Sequence, residues 1–172
     1  MSRQVSKGFP VRHLKTIVTA AALALGTAAF GQGAEVALGG LRQDPGLPVE
    51  VTSDNLRVDQ SDGSATFSGN VLVSQGEMRL TAGEVEVIYA PIGGRIAELR
   101  ATGGVTLVAG EEAAESQEAV YTIDSGEVVM TGDVVLTQGA NALSSNRLTL
   151  DLTEGTGVME GRVRTVFQTG GD

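Results

Sequence analysis

The sequence predicts an all-β protein with an antiparallel sheet that curls into a sandwich, built from two-strand repeats of about 29 residues. Two observations carry this. One phrase, ATFSGNVLVSQG, returns as LRATGGVTLVAG, as VVMTGDVVLTQG and, worn down, as VMEGRVRTVFQ; its central glycines, Gly69, Gly103, Gly132 and Gly161, are 34, 29 and 29 residues apart. A second phrase (TSDNLRVDQ, AGEVEVIYA, ESQEAVYTI, SNRLTLDLT) interleaves with the first, and its leading apolar positions Leu56, Val85, Ala119 and Leu148 fall at intervals of 29, 34 and 29. Two phrases that keep one frame mean a supersecondary unit copied and stacked, with a single five-residue insertion in APIGGRIAEL.

Each phrase reads as a strand because its apolar residues recur at every second position. Around the glycines the apolar set is Ala65, Phe67, Val71 and Val73; then Leu99, Ala101, Val105 and Leu107; then Val128, Met130, Val134 and Leu136; and last Met159 and Val163. In the second phrase it is Leu56 and Val58; Val85, Val87 and Tyr89; Ala119, Tyr121 and Ile123; Leu148, Leu150 and Leu152. Period two with one apolar face is a half-buried strand. Leu72, Val108 and Val135 interrupt the polar face. Between strands stand Asp62-Gly63, Gln75-Gly76, Gly93-Gly94, Ser125-Gly126, Gln138-Gly139 and Glu154-Gly155, pairs that favour hairpin turns. Eight or more antiparallel strands in sequence order follow. A glycine in mid-strand marks a bulge or a close backbone approach. Four in one column predict a sharp bend in every repeat, which is how a long sheet curls over.

The ends differ from the repeats. Residues 1–15 carry Arg3, Lys7, Arg12 and Lys15 and no acid, and TIVTAAALALGTAAFG follows without a charge. This is the pattern of a secretory signal, with cleavage expected before Gln32. The expected organisation is a signal peptide over 1–31, an extended leader over 32–48 containing Pro45 and Pro48, the β domain over 49–167 and a tail over 168–172. Cleavage would leave eight bases, all arginine, against 21 acids, a net charge of −13. So acidic a chain is a poor partner for nucleic acid or anionic membrane surfaces. It has no cysteine, so folding after export would need no disulfide.

After residue 31 there is no His, Cys or Lys. That leaves no material for a Ser-His-Asp triad or for His and Cys metal sites, and neither an enzyme nor a cofactor is expected. Glu111, Glu112 and Glu115 form the densest acidic cluster, read as a solvated loop after the Ala109-Gly110 turn. DQSDG, from Asp59, lacks the alternating acids and closing Glu of a calcium loop and reads as a turn.

The apolar face has two readings. It forms a sandwich core, each buried Val or Leu giving about 1.5–3 kcal/mol. Its small Val, Leu, Ala, Met and Gly side chains, with aromatics only 3% of the chain, also suit a smooth slot for an acyl chain, worth about 0.8 kcal/mol per CH₂ buried.

The run VTSDNLRVDQSDGSATFSGNVLVSQGEMRLTAGEVEVIYA, then GGRIAELRATGGVTL, then AVYTIDSGEVVMTGDVVLTQGANALSSNRLTLDLTEGTGVMEG, resembles the OstA-like periplasmic lipopolysaccharide-transport protein family (LptA). SGNVLVSQG, the GGRI insertion with its following TGGV, and TGDVVLTQGANALSSNRLTLDLTEG are its most specific parts. The resemblance implies a twisted β jelly roll in the periplasm whose apolar groove holds the acyl chains of lipid A. It further implies copies or relatives joined strand to strand, including a head-to-tail homo-oligomer, as a bridge between inner-membrane and outer-membrane lipopolysaccharide-transport components. On that reading the groove is lined by Phe67, Val71, Val73, Val85, Val87, Val105, Leu107, Tyr121, Met130, Val134, Leu136, Leu148 and Leu150. The joining edges are Val49 and Val51 at one end and Val163, Thr165 and Phe167 at the other. A groove that takes the apolar tails and leaves the head group in water suits so acidic a protein. Two departures stand out: Gly83, where the pattern often has an acid, and the short last strand RVRTVFQTGGD. The alternatives are the membrane-anchored sister component, the N-terminal domain of the outer-membrane partner, and a secreted β-solenoid scaffold or adhesin. A solenoid would stack its copies in parallel, against the hairpin signals.

Overall fold

The computed structural model describes residues 33–59, 61 and 63–166. The expected signal peptide, Phe167 and the tail lie outside the described residues. The elements are β1 (Ala34–Ala37), a 3₁₀ turn (Gly39–Leu41), β2 (Glu50–Thr52), β3 (Asn55–Asp59), β4 (Ser64–Gln75), β5 (Met78–Tyr89), β6 (Ile96–Ala109), β7 (Glu112–Thr122), β8 (Glu127–Gln138), β9 (Asn141–Asp151), β10 (Thr156–Glu160) and β11 (Arg164–Val166). Every strand pair among the described residues is antiparallel, which sets the parallel solenoid aside. β2 and β3 both pair with β4, and β10 and β11 both pair with β9. Each duo is one strand broken at a corner, so eight bent strands run side by side in chain order, as the spacing predicts.

The corners are the glycine column. β4 advances three residues from Ser68 to Val71 while β5 advances two, and β6 and β8 carry the same extra residue against their neighbours. At each of these bulges two successive residues have positive φ: Gly69 and Asn70 at 80° and 48°, Gly103 and Gly104 both at 82°, Gly132 and Asp133 at 84° and 49°; Gly161 and Arg162, at 76° and 51°, repeat the pair at the corner between β10 and β11. The intervening strands turn the corner without an extra residue, at Asp54, Gly83, Gln117 and Asn146. In three of the four copies a serine braces the bend. Ser53, Ser116 and Ser145 donate to the carbonyls of Asn55, Glu118 and Arg147 at 2.7, 2.8 and 2.9 Å. The second copy has Ala82-Gly83 instead, and there a Cβ on Gly103 would stand 3.2 Å from the Gly83 Cα.

Folding at this column produces two layers. The first holds β3, the leading halves of β4, β6 and β8, the trailing halves of β5, β7 and β9, then β10 and β1. The second holds β2, the complementary halves and β11. Apolar residues of both layers form one core, with Val85, Leu99, Tyr121 and Leu148 from the first meeting Val73, Leu80, Leu107 and Leu136 from the second.

The leader is the main departure from the simple repeat. Its β1 pairs with β10, Ala34 opposite Met159 and Ala37 opposite Thr156. The first strand therefore precedes VEVTS, and Leu38 and Leu41 just after it are buried in the core. AEVA is too short to announce itself by alternation. Glu112 is likewise not solvated. It is 7% exposed at the start of β7, because the leader folds down onto it.

Candidate functional site

The thirteen residues singled out as groove lining come together on the inner faces of the two layers. Twelve are at most 1% exposed; Phe67, nearest the β3 edge, is half-buried. The interior is closed along most of its length and reaches solvent at the β3 edge. Leu56 and Val58 stand opposite Phe67 and Ala65 in the ladder and share their inward face, yet they are 56% and 61% exposed. The layer across from them ends in the three residues of β2. At the far end Met159 and Leu38 are fully buried, and a Cβ on Gly157 would lie 2.8 Å from Leu38 Cδ1. The apolar interior is thus open at one end and plugged at the other.

Residues 38–48 lie along the side where the hairpin ends of the two layers face each other. Toward the first layer, Leu38 N–H donates to Gly155 O at 2.8 Å and Gln43 N–H to Leu152 O at 2.7 Å. Arg42 Nε donates to Thr153 O at 3.0 Å. Toward the second layer, Leu41 N–H donates to Glu112 Oε2 at 3.1 Å. Gln138 Nε2 donates to Ala37 O at 2.8 Å and to Glu112 Oε1 at 2.9 Å. Further along, Gln75 Nε2 donates to Pro45 O and Leu47 O at 3.2 and 2.9 Å. Gln75 is itself buried, and its Oε1 accepts from the Tyr121 hydroxyl at 2.7 Å. Burial pushes the Tyr121 phenol above its ordinary value, and the Gln75 bond offsets part of that. Gln75, Glu112, Leu38 and Leu41 escape a reading by periodicity. The two polar residues sit at hairpin ends where exposure is the default, and the leucines lie in an aperiodic segment.

The joining edges are unequal. β2 and β3 pair only with β4, leaving their other sides unpaired among the described residues, with Val49 and Val51 half-buried. At the opposite end β1 takes the outer side of β10 and becomes the edge of the first layer, while β11 is the edge of the second, each with its outer side unpaired among the described residues. Thr165 is half-buried on β11 opposite Leu143, Val163 lies just past the corner outside any strand, 37% exposed, and Phe167 is not among the described residues. The surface arginines are largely tied up: Arg95 meets Asp124 at 3.0 Å through two parallel bonds, Arg100 pairs with Glu86 and Glu98, and Arg147 with Glu160.

Residues 50–156, from the first repeat to the start of β10, match the family described as LptA/(LptD N-terminal domain) LPS transport protein. The chain belongs to this family. An uncharacterized protein of Rhizobium meliloti (strain 1021) is 26% identical over 113 residues, 62% of this chain and 61% of that protein. The matched region thus spans about three-fifths of that relative's length. Among solved structures the fold is similar to that of LptH, the LptA homologous periplasmic component of the lipopolysaccharide transport device of Pseudomonas aeruginosa. The TM-score is 0.65 at 19% identity, covering 73% of this chain and 99% of that one. The antiparallel sandwich expected from the repeats, and the twisted jelly roll that the family resemblance implies, are therefore a fold that LptH shares.

Proposed function

We propose that the protein is a periplasmic lipopolysaccharide-binding bridge that holds acyl chains between its two layers and passes lipopolysaccharide from the inner to the outer membrane. The observation that carries this is the exposure of inward-facing Leu56 and Val58 at the β3 edge, where the apolar interior continues into solvent. A sandwich that only stabilised itself would cover or polarise those positions, because an exposed apolar edge strand invites association. Acyl chains would gain about 0.8 kcal/mol per CH₂ moved from water into such an interior, while the phosphorylated sugars stay outside a strongly acidic protein.

The unpaired β2–β3 edge and β11 would serve as docking strands through β-augmentation, in which backbone hydrogen bonds supply affinity. The partners would be the inner-membrane and outer-membrane components of the transport system or a second copy of this chain, head to tail. Photo-crosslinking residues placed singly at Phe67, Val73, Tyr121 and Leu136 test the interior. Labelling of lipopolysaccharide from these positions and not from Asn70 or Thr106 is expected. Labelling from the two surface controls alone would overturn the interior site.

A further inference from the structure

Along its closed side the apolar interior is packed by the leader. Leu38 and Leu41 are 0% and 1% exposed and belong to the same core cluster as the lining residues. What holds this segment is different in kind from what holds the strands. β1 and β2 anchor its two ends in ladders. Between them it hangs from separate hydrogen bonds to hairpin ends, chiefly at Gly155, Leu152, Glu112 and Gln75. It is punctuated by Gly39, Gly40 and Gly46, which lower the cost of bending. Its second half is seated over a recess of about 500 Å³ lined by Pro45, Gly46 and Val49 on one side and Ile96, Ile123 and the Arg95–Asp124 pair on the other.

We propose that residues 38–48 are a displaceable strap over the lateral seam of the jelly roll. In this structure the strap lies shut, and Leu38 and Leu41 occupy apolar space. An incoming acyl chain is admitted sideways along the seam, beginning at the recess, and takes the place of the two leucines while β1 and β2 keep the strap tethered. The exchange replaces one apolar occupant by another, so the two states stay close in free energy, the condition for a ligand-driven switch. Lateral admission also explains why the far end is plugged: a chain entering along the seam has no need of an opening there. The proposal rests on the acyl-chain reading of the interior.

The chain has no cysteine, so one staple can be introduced cleanly. A Cβ built on Gly155, at a φ of +70°, lies 3.2 Å from the Arg42 Cβ, slightly closer than the ~3.5–4.5 Å of a disulfide, so the reduced double variant, which carries the same backbone strain, is the reference for the oxidised one. In the exported full chain carrying Arg42→Cys and Gly155→Cys, uptake of fluorescently labelled lipopolysaccharide is expected to fall about tenfold or more when oxidised and to return on reduction. Glu112→Ala, which removes the acceptor of both Leu41 N–H and Gln138 Nε2, is expected to speed uptake about tenfold, the scale of one lost strap hydrogen bond. Equal uptake by oxidised and reduced staple, or an unchanged rate in Glu112→Ala, overturns the strap while leaving the interior site standing. No uptake by the unmodified protein overturns the interior site and the strap with it.

Discussion

Tyr121 and Gln75 form a buried polar pair, hydroxyl to amide oxygen at 2.7 Å, that joins the two layers through a core otherwise built from aliphatic side chains. The amide nitrogen of Gln75 continues the connection outward to Pro45 O and Leu47 O. One phenol thus orders the residue that holds the second half of the strap.

Replacing Tyr121 by Phe leaves Gln75 Oε1 buried without a donor, at a cost of about 1–3 kcal/mol, to be read from urea unfolding midpoints. The pH dependence has a definite sign. Because the folded-state phenol titrates above its ordinary value of 10.0, the folded protein holds this proton after the unfolded chain has released it. Stability is therefore complete below pH 10 and declines as pH rises from there through the folded-state value. Tyr121→Phe should remove that decline; an unchanged alkaline profile would place its origin elsewhere.

The corner glycines are expected to tolerate no side chain. An alanine at Gly132 would combine a φ of +84° with a Cβ 2.8 Å from the Gln117 Cβ, and a loss of about 2 kcal/mol or more is expected. Gly139 has a φ of +57° and nothing within 4 Å of a built Cβ, so Gly139→Ala should cost only about 1 kcal/mol. Equal losses would mean that backbone strain alone explains both.

Assembly through the edges predicts a response to proline. Adjacent N–H groups of a strand point to opposite sides, so one of Glu50→Pro and Val51→Pro removes a donor from the unpaired side of β2. That variant, and Thr165→Pro or its neighbour on β11, should weaken association with partners while the monomer keeps its β circular dichroism. Sedimentation profiles matching the parent for all four would move the joining surface away from these strands.

Export predicts a chain that begins near Gln32. Intact-mass measurement on protein from the periplasmic fraction should show the loss of residues 1–31; a mass that includes Met1, in the membrane fraction, would favour the anchored sister component.

The bent strands were legible because apolar alternation runs through all of them and a glycine in a fixed frame marks every second one. The inner position of Val134 or Leu150 follows from that alone. Ser53, Ser116 and Ser145 hold one place in the repeat, but alternation gives them no role, and their bracing bonds appear only with the corner in view. The leader was illegible for a physical reason. LGGLRQDPGLP has no period because it forms no ladder, and Leu38 and Leu41 are buried by what folds around them rather than by a strand of their own. Glu112 misleads in the same way: an acid beside a turn is usually hydrated, and here the Leu41 N–H descending from the leader and the Gln138 amide together make burial tolerable.

The alternation of bulged and unbulged corners constrains how such a protein can change in length. Every bulged corner carries the chain from the first layer to the second, and every unbulged corner carries it back. Losing or gaining a single strand would set two corners of one kind side by side and reverse the direction of travel through every later corner. Only strand pairs can be added or removed without that penalty, so the size of this family's members should vary in increments of one pair, and the insertion in APIGGRIAEL, placed in a hairpin loop, is the kind of extra length that leaves the count untouched.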